Sequence, residues 1–504
     1  MVEEVNKLKT VRASLHVAAV LLAAVAPSYN LRAENAAAAA PAAGRLDPAE
    51  SEGAFRHLRA LQDIATANGG NRAAGTPGYD RSADYVAEKL RAAGYVVRLE
   101  EFEFPFFEER TPPVLATRKP DGSQEPAPSG TVRTLANSGS GDVTARLRAV
   151  SLGLGSDAPA ASTSGCDAAD FQDFERGALA LVRRGTCTFQ VKVENAVAAG
   201  AVGVVVMNEG TDGRTDAFSG TLGQAAAVPA VGVSFESGRA LDGVARTGGT
   251  VRLAVDALIG KRPTRNVVAD MPGGGDGPLI VVGAHLDSVP EGPGINDNGS
   301  GSAVVLEAAL RLAGPPAAGR SRVRFGFWGA EERGLVGSRH HVETLSEEER
   351  RRIALYINLD MVGSPNFVRF VQGSASTDSG SAALARREFV ADFREHDLAV
   401  EERAGGRYGS DDTSFSQKSI PTVGLYAGAG GAKSEAQASA FGGTAGRPYD
   451  ACYHRGCDTV ENINREALAE NARALMRALD AVTIAAGRPG VPSQQAVDPP
   501  APKL

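Results

Sequence analysis

The sequence predicts an α/β protein, a mixed and mostly parallel sheet flanked by helices, with a β-rich module inserted into it. Three observations predict this. From Asn266 onward, short apolar strand patterns alternate with helical ones in the manner of a doubly wound sheet. Between about 135 and 258 the texture changes to short β runs (LALVRR, VGVVVMN, VRLAV) around one apolar helix at Val193–Ala199, with many glycines. The length of 504 residues, at roughly 100 to 200 per domain, corresponds to about two to four domains.

Composition excludes several classes of protein. With 43% hydrophobic and 22% charged residues the chain has ordinary globular usage, and its 59 Gly and 27 Pro follow no repeat, which excludes collagen and wholesale disorder. The net charge of −7 comes without any long Lys/Arg block, so nucleic acid is not an expected partner. Four cysteines and seven histidines leave few soft or imidazole ligands.

At the amino terminus, Lys7, Lys9 and Arg12 precede the apolar run Val17–Ala26, so residues 1–26 are expected to be a signal peptide. Ten residues rise only about 15 Å as a helix, half of a bilayer's hydrocarbon core, so no membrane anchor is expected. Residues 27–46, with AAAAAPAAG, are a linker or pro-segment. Export makes the protein secreted or periplasmic, where four cysteines in two sequence-local pairs can oxidise. Residues 47–134 begin the main domain. Phe55, Leu58, Leu61 and Ile64, then Ala83, Val86, Leu90 and Ala93, predict two amphipathic helices around the turn GTPGYD. Val96–Phe107 predicts a strand, expected to break at Pro112 and Pro113. The inserted module occupies 135–258 and the main domain resumes at 259–487. The Pro-rich stretch 488–504 is expected to be a disordered tail.

Three predicted strands leave their apolar runs at hard ligands: LIVVGAHLDS at His285, VRFGFWGAEE at Glu331 and Glu332, and IALYINLDM at Asp360. Open α/β sheets bind ligands beyond the carboxyl ends of their strands, so these residues should converge. Asp297 sits in a Gly/Asn-rich turn before a predicted helix, Ser302–Ala313. His454 lies between Cys452 and Cys457, whose disulfide would close a tight loop and direct the imidazole. Mixed imidazole and carboxylate donors suit zinc or a similar divalent ion. Five are too many for one catalytic zinc, which takes three protein ligands and a water. They suit two zincs sharing one carboxylate, with a bridging water as nucleophile. Glu331, spare beside a ligand, is the natural general base. Asp287 is placed to take the proton of the second ring nitrogen of His285, and Tyr453 to donate to a developing oxyanion. A strand-end histidine is more often structural and a Glu-Glu pair more often a solvated helix start; the convergence of four segments is what singles these residues out. His57, His340, His341 and His396 lack such a setting and read as core or surface residues.

The stretches GAHLDSVPEGPGINDNGSGSAVVLEAAL, FWGAEERGLVGSRHHV, NLDMVGSPN and GGTAGRPYDACYHRGCDTVENIN, in that order, resemble the M28 zinc aminopeptidases, particularly the secreted bacterial leucine-type enzymes. The resemblance covers about 260–485 and the opening segment 50–104. It implies the zinc-peptidase (phosphorylase/hydrolase-like) fold, one zinc on His285 and Asp360, a second on Glu332 and His454, Asp297 bridging them, and Glu331 as base. It also implies an apolar pocket at Met361 and Tyr426. ALALVRRGTCTFQVKVENAVAAGAVGVVVMNE resembles a protease-associated (PA) domain, which implies a Cys166–Cys187 disulfide and a non-catalytic role for the insert. There are two departures. Where the secreted enzymes place a substrate-binding Arg before Ser-Asp, this chain has Gly409, with Arg407 two residues earlier as the candidate. Positions of a calcium site in some relatives hold Ala469 and Arg473, so no calcium site is expected. The expected reaction removes large apolar N-terminal residues from peptides or proteins with a free N-terminus. The oligomeric state is open, with a monomer as the expectation. A carboxypeptidase of the same superfamily, a glutaminyl-cyclase-like transferase with a single zinc, and a non-catalytic binding module are the alternatives.

Overall fold

A computed structural model describes residues 48–486, apart from 120, 155–161, 212, 273–277, 315–319, 374–379 and 405–408. The expected signal peptide, linker and tail lie outside the described residues. Helices α1 (Pro48–Ala67) and α2 (Pro77–Ala92) come first. Thr76 caps α2, its Oγ accepting the N–H of Tyr79 at 3.4 Å, and Pro77 takes the first helical position, where a missing N–H costs nothing. Phe55, Leu58 and Leu61 of α1, and Ala83, Val86 and Leu90 of α2, are buried, as their spacing predicts.

Strand β1 (Val96–Arg118) runs well past its expected end and pairs antiparallel with β8 (Thr250–Asp270) along its whole length. Pro112 and Pro113 do not end it. They fall within the register shift between Thr111 and Val114, where an irregular ladder tolerates a residue without an N–H. Between these strands lie β2 (Gln124–Pro126), β3 (Val132–Thr134), β4 (Gly141–Ala149), β5 (Leu179–Arg183), α3 (Phe189–Ala198), β6 (Gly203–Met207), β7 (Ala230–Val233) and α4 (Phe235–Arg246). Strands β4 to β7 form a parallel run closed by antiparallel β3. Every residue of β5 and β6 is buried, which is why they read as unbroken apolar runs. Strand β4 also pairs with β8, so one long ribbon carries the insert and edges the main sheet. The texture change near residue 258 therefore falls inside a continuous strand.

The main domain continues with β9 (Leu279–His285), α5 (Gly301–Arg311), β10 (Arg322–Trp328), α6 (Val336–Thr344), α7 (Glu347–Arg352), β11 (Ile353–Asp360), β12 (Phe370–Gly373), α8 (Gly380–Glu395), β13 (Glu401–Ala404), α9 (Asp412–Ser416), β14 (Thr422–Tyr426), α10 (Glu435–Phe441) and α11 (Arg465–Ala486). Its sheet has the order β13-β12-β14-β11-β9-β10-β8-β1. Strands β14, β11, β9 and β10 are mutually parallel, while β12 runs antiparallel to β14 but parallel to β13, and β8 runs antiparallel to β10 and β1. The sheet is mixed and mostly parallel, as predicted. Helices α1, α2, α5, α8 and α11 contribute Leu58, Leu90, Val305, Phe389 and Leu475 to one core. A second core gathers Trp328, Val342, Tyr356 and Phe415, with the last two rings stacked at 3.7 Å. Each such side chain, fully buried, contributes about 1.5–3 kcal/mol. The two cores clamp β9 and hold its carboxyl end in place.

Candidate metal centre

Three neighbouring strands deliver the site. His285 of β9 stands opposite Trp328 of β10, and Gly283 opposite Asn358 of β11. His285, the Glu331–Glu332 pair just beyond β10, and Asp360 therefore emerge at one carboxyl edge of the sheet, where such sheets bind ligands. Asp297 arrives in the turn Ile295–Ser300 that leads into α5. His454 arrives in a loop closed by the Cys452–Cys457 disulfide, whose Cα atoms are 5.3 Å apart.

These side chains form two groups around Asp297. Its Oδ1 lies 3.3 Å from Nε2 of His285, which is 3.5 Å from Oδ1 of Asp360. Its Oδ2 lies 3.1 Å from Nε2 of His454, which is 3.2 Å from Oε2 of Glu332. Oε2 of Glu331 stands farther off, 4.0 Å from Nε2 of His285.

The surrounding backbone is held by specific partners. Asp287 meets His285 chiefly through its carbonyl, 3.1 Å from Nδ1, with the carboxylate Oδ1 at 3.7 Å. That carboxylate accepts the backbone N–H groups of Glu331 and Glu332 at 3.1 and 3.4 Å, a use that the two-residue spacing from His285 does not reveal. Ser410 donates to Oδ2 of Asp360 at 2.6 Å. Asp458 accepts the N–H groups of Asn296 and Asp297 at 2.8 and 3.0 Å and so ties the Asp297 turn to the chain just after His454. Sequence reasoning assigned no role to Asp458; its one signal, a carboxylate following Cys457, is equally that of a solvated residue. Ala330, Met361 and His454 have φ of 57°, 48° and 56°. A non-glycine residue in this region costs about 1–2 kcal/mol, and such strain gathers at functional sites.

The charges conflict unless a cation joins them. Burial pushes Glu332 up to about 7, and Asp297 adds to the shift. Burial also pushes Glu331 well above the carboxylate range; His285 opposes this, while Asp411, Glu332 and Asp360 reinforce it. Burial opposes charge on both imidazoles, yet Glu331 and Asp360 drive His285 well above its usual value, and Asp297 with Glu332 drives His454 to about 10. Burial opposes charge on Asp297 too, and hydrogen bonds from both imidazoles pull it below the usual range. Oε1 of Glu332 and Oδ1 of Asp360 are buried without a hydrogen-bond partner. An unsatisfied buried carboxylate oxygen costs about 1–3 kcal/mol or more, a cost that coordination would offset. Oxygen and imidazole donors without thiolate fit a divalent ion such as zinc.

The centre opens into a cavity of about 330 Å³. Met361 and Tyr426 line it, and so do Gln372 and Arg403, which the sequence did not single out. The Arg403 guanidinium stacks on Phe370 at 3.6 Å, and its Nε donates to Glu401 at 3.2 Å. Arg407 lies outside the described residues. Tyr453 lies on the cavity wall, its ring stacked 3.9 Å from that of His454. The other described histidines have partners elsewhere: His341 with Glu100 at 2.8 Å, His340 against Phe102, His57 with Tyr85, and His396 with the carbonyl of Asp392. Cys166 and Cys187 form a second disulfide, in the insert.

Comparison with known proteins shows the family and the fold. The model of peptidase family M28 matches residues 266–479, and the PA domain model matches 144–241. An aminopeptidase of Pseudomonas aeruginosa is 43% identical over 437 residues, 84% of this chain and 80% of that protein. Among solved structures, the aminopeptidase from Aneurinibacillus sp. strain AM-1 superposes with a TM-score of 0.67 at 26% identity, covering 86% of this chain and 93% of the other. A zinc aminopeptidase from Bacillus subtilis gives 0.62 at 26% identity, covering 85% and 95%.

Proposed function

The chain belongs to peptidase family M28 as an aminopeptidase, and from that premise we propose that it is a dinuclear zinc enzyme exported from the cytoplasm. Asp297 carries the reading, because its two oxygens face different pairs of partners. His285 and Asp360 would hold one ion and His454 and Glu332 the other, with Asp297 shared. When bound, such ions would supply Lewis acidity toward the attacking water and the scissile carbonyl.

The chain's own groups do the rest. Glu331, close to the ligands but set back from them, takes a proton from the attacking water and delivers it to the leaving amine. Asp287 holds the Glu331–Glu332 backbone in place, and Ser410 orients Asp360. Tyr453 donates to the developing oxyanion. The free α-amine is received by carboxylates of the site. Met361 and Tyr426 take a large apolar side chain such as Leu, Phe or Met, and Arg403 on the same wall disfavours a basic one. Arg407 is a further candidate substrate contact. We place the PA module at 135–258 and the catalytic domain at 47–134 and 259–487.

Two disulfides and the signal-like amino terminus support export to a secreted or periplasmic location. Among the described residues no helix is long and apolar enough to cross a membrane. The expected substrates are peptides with a free N-terminus, acted on by a monomer. Metal analysis together with paired assays on leucine p-nitroanilide and an N-blocked peptide tests this reading. Two zincs per chain, turnover of the first substrate alone, and loss of turnover on chelation are expected. Turnover of the blocked peptide would sink the aminopeptidase mechanism, and one zinc per chain would move the site toward glutaminyl-cyclase-like chemistry.

A further inference from the structure

We propose that Arg72 is a positioning residue for the metal centre, holding the irregular segment between His285 and Asp297 so that Asp297 faces both ligand groups. This rests on the dinuclear reading above. Residues 286–294 belong to no helix or strand, so their backbone polar groups need partners from elsewhere. Arg72, in the connection between α1 and α2, supplies several of them and is fully buried. Its guanidinium donates to the carbonyls of Leu286, Pro293 (2.9 Å) and Gly294 (2.5 Å). Its own N–H donates to Oγ of Ser288 at 2.9 Å, and its carbonyl accepts the N–H of Ser288 at 3.3 Å.

One side chain therefore grips the loop immediately after His285 and again just before Asp297. Asp458 grips the far end of the same turn through the N–H groups of Asn296 and Asp297. The loop is tightly drawn at Gly294, where φ is 61° and a Cβ would lie 2.4 Å from the carbonyl oxygen of Asp297.

The choice of partners matters as much as their number. Burial lowers the guanidinium to about 10, and the charges of Asp287, Asp458 and Asp297 partly offset that shift. Yet the hydrogen bonds of the guanidinium go to carbonyl oxygens. A salt bridge to Asp297 would occupy an oxygen that a metal needs. By bonding to carbonyls, Arg72 balances the charge through space and leaves the ligand atoms free. A lysine cannot reproduce this, because a compact ammonium lacks the diverging donors that span Leu286 and Gly294 together.

The test uses the full chain carrying Arg72→Lys, titrated with zinc and with cobalt well below its melting temperature. Wild type should take two ions. The folded variant should bind them about 10- to 100-fold more weakly, as observed when residues that orient metal ligands are lost. It should also show altered cobalt absorption bands, and a lower kcat on leucine p-nitroanilide with KM unchanged. A lower melting temperature with wild-type zinc affinity and cobalt spectrum would mean that Arg72 serves stability alone, which overturns the proposal. A wild-type count of one ion would refute the dinuclear reading, while the affinity comparison would still judge Arg72. If Arg72→Lys does not fold, Ser288→Ala decides, since it removes one tie and keeps the guanidinium. It should weaken zinc binding several-fold, and wild-type affinity would overturn the proposal.

Discussion

Replacing Glu331 by Gln removes a proton acceptor and little else. The side chains are isosteric, and the hydrogen bond from Glu331 to Asp287 is made by the backbone N–H and survives. The ligand contacts of 3.1 to 3.5 Å do not involve Glu331, which stands 4.0 Å from His285. Both zincs should therefore remain bound. General-base catalysis is worth about 10²–10⁴-fold. Only 12% of the side chain is exposed, so bulk water is poorly placed to substitute, and the loss should lie near the upper limit, about 10⁴-fold or about 5 kcal/mol in the barrier. Stability should move the other way. Burial and the neighbouring carboxylates raise Glu331 in the folded state, so its charged form destabilises the zinc-free protein as pH rises above the ordinary value of 4.5. Glu331→Gln should melt higher than wild type at neutral pH and no higher well below 4.5. The decisive assay pairs kcat on leucine p-nitroanilide with a zinc count. Activity within tenfold of wild type with both zincs bound would refute the base assignment, and loss of a zinc would make Glu331 a ligand.

Three further outcomes are expected. Replacing Cys452 and Cys457 by Ser opens a loop with a sequence separation of 5 and should cost about 2 kcal/mol by chain entropy. It should also weaken zinc binding by freeing His454, and unchanged zinc affinity would show that the disulfide does not brace the ligand. At Glu100, burial opposes the charge, but the hydrogen bond with His341 prevails and lowers the carboxyl from 4.5 to about 2. That is worth about 3 kcal/mol of stability, present above pH 4.5 and lost as pH falls from there to 2, so Glu100→Gln should flatten this limb in urea melts across pH. Arg403→Ala should raise kcat/KM for lysine p-nitroanilide relative to leucine p-nitroanilide by about tenfold, because a like charge leaves the cavity wall. An unchanged ratio would remove Arg403 from the specificity wall.

The elements nearest the chemistry were legible because their signals are local. The seven residues of β9 are all buried, so LIVVGAH reads as an unbroken apolar run that stops at His285. The helical faces of α1 and α2 and the cysteines around His454 are equally local. The extension of β1 through Pro112 and Pro113 was not legible, since its register shifts depend on a partner strand more than 130 residues later in the chain. Arg403 was missed for a similar reason: nothing near it in the chain indicates that it faces the cavity.

The sequence by itself determined the class of fold and which segments carry an imidazole or carboxylate at a strand end, because periodicity and residue type are properties of short stretches. Only the tertiary structure decided which oxygen of Asp297 faces which imidazole, that Asp287 uses its carbonyl toward His285, and that Arg72 and Asp458 hold the loop between them. The ties made by Arg72 and Asp458 are distances of about 3 Å between atoms more than 150 residues apart in the chain. Such distances, and the burial that shifts the charges, are set by how the cores pack, which no local spacing records.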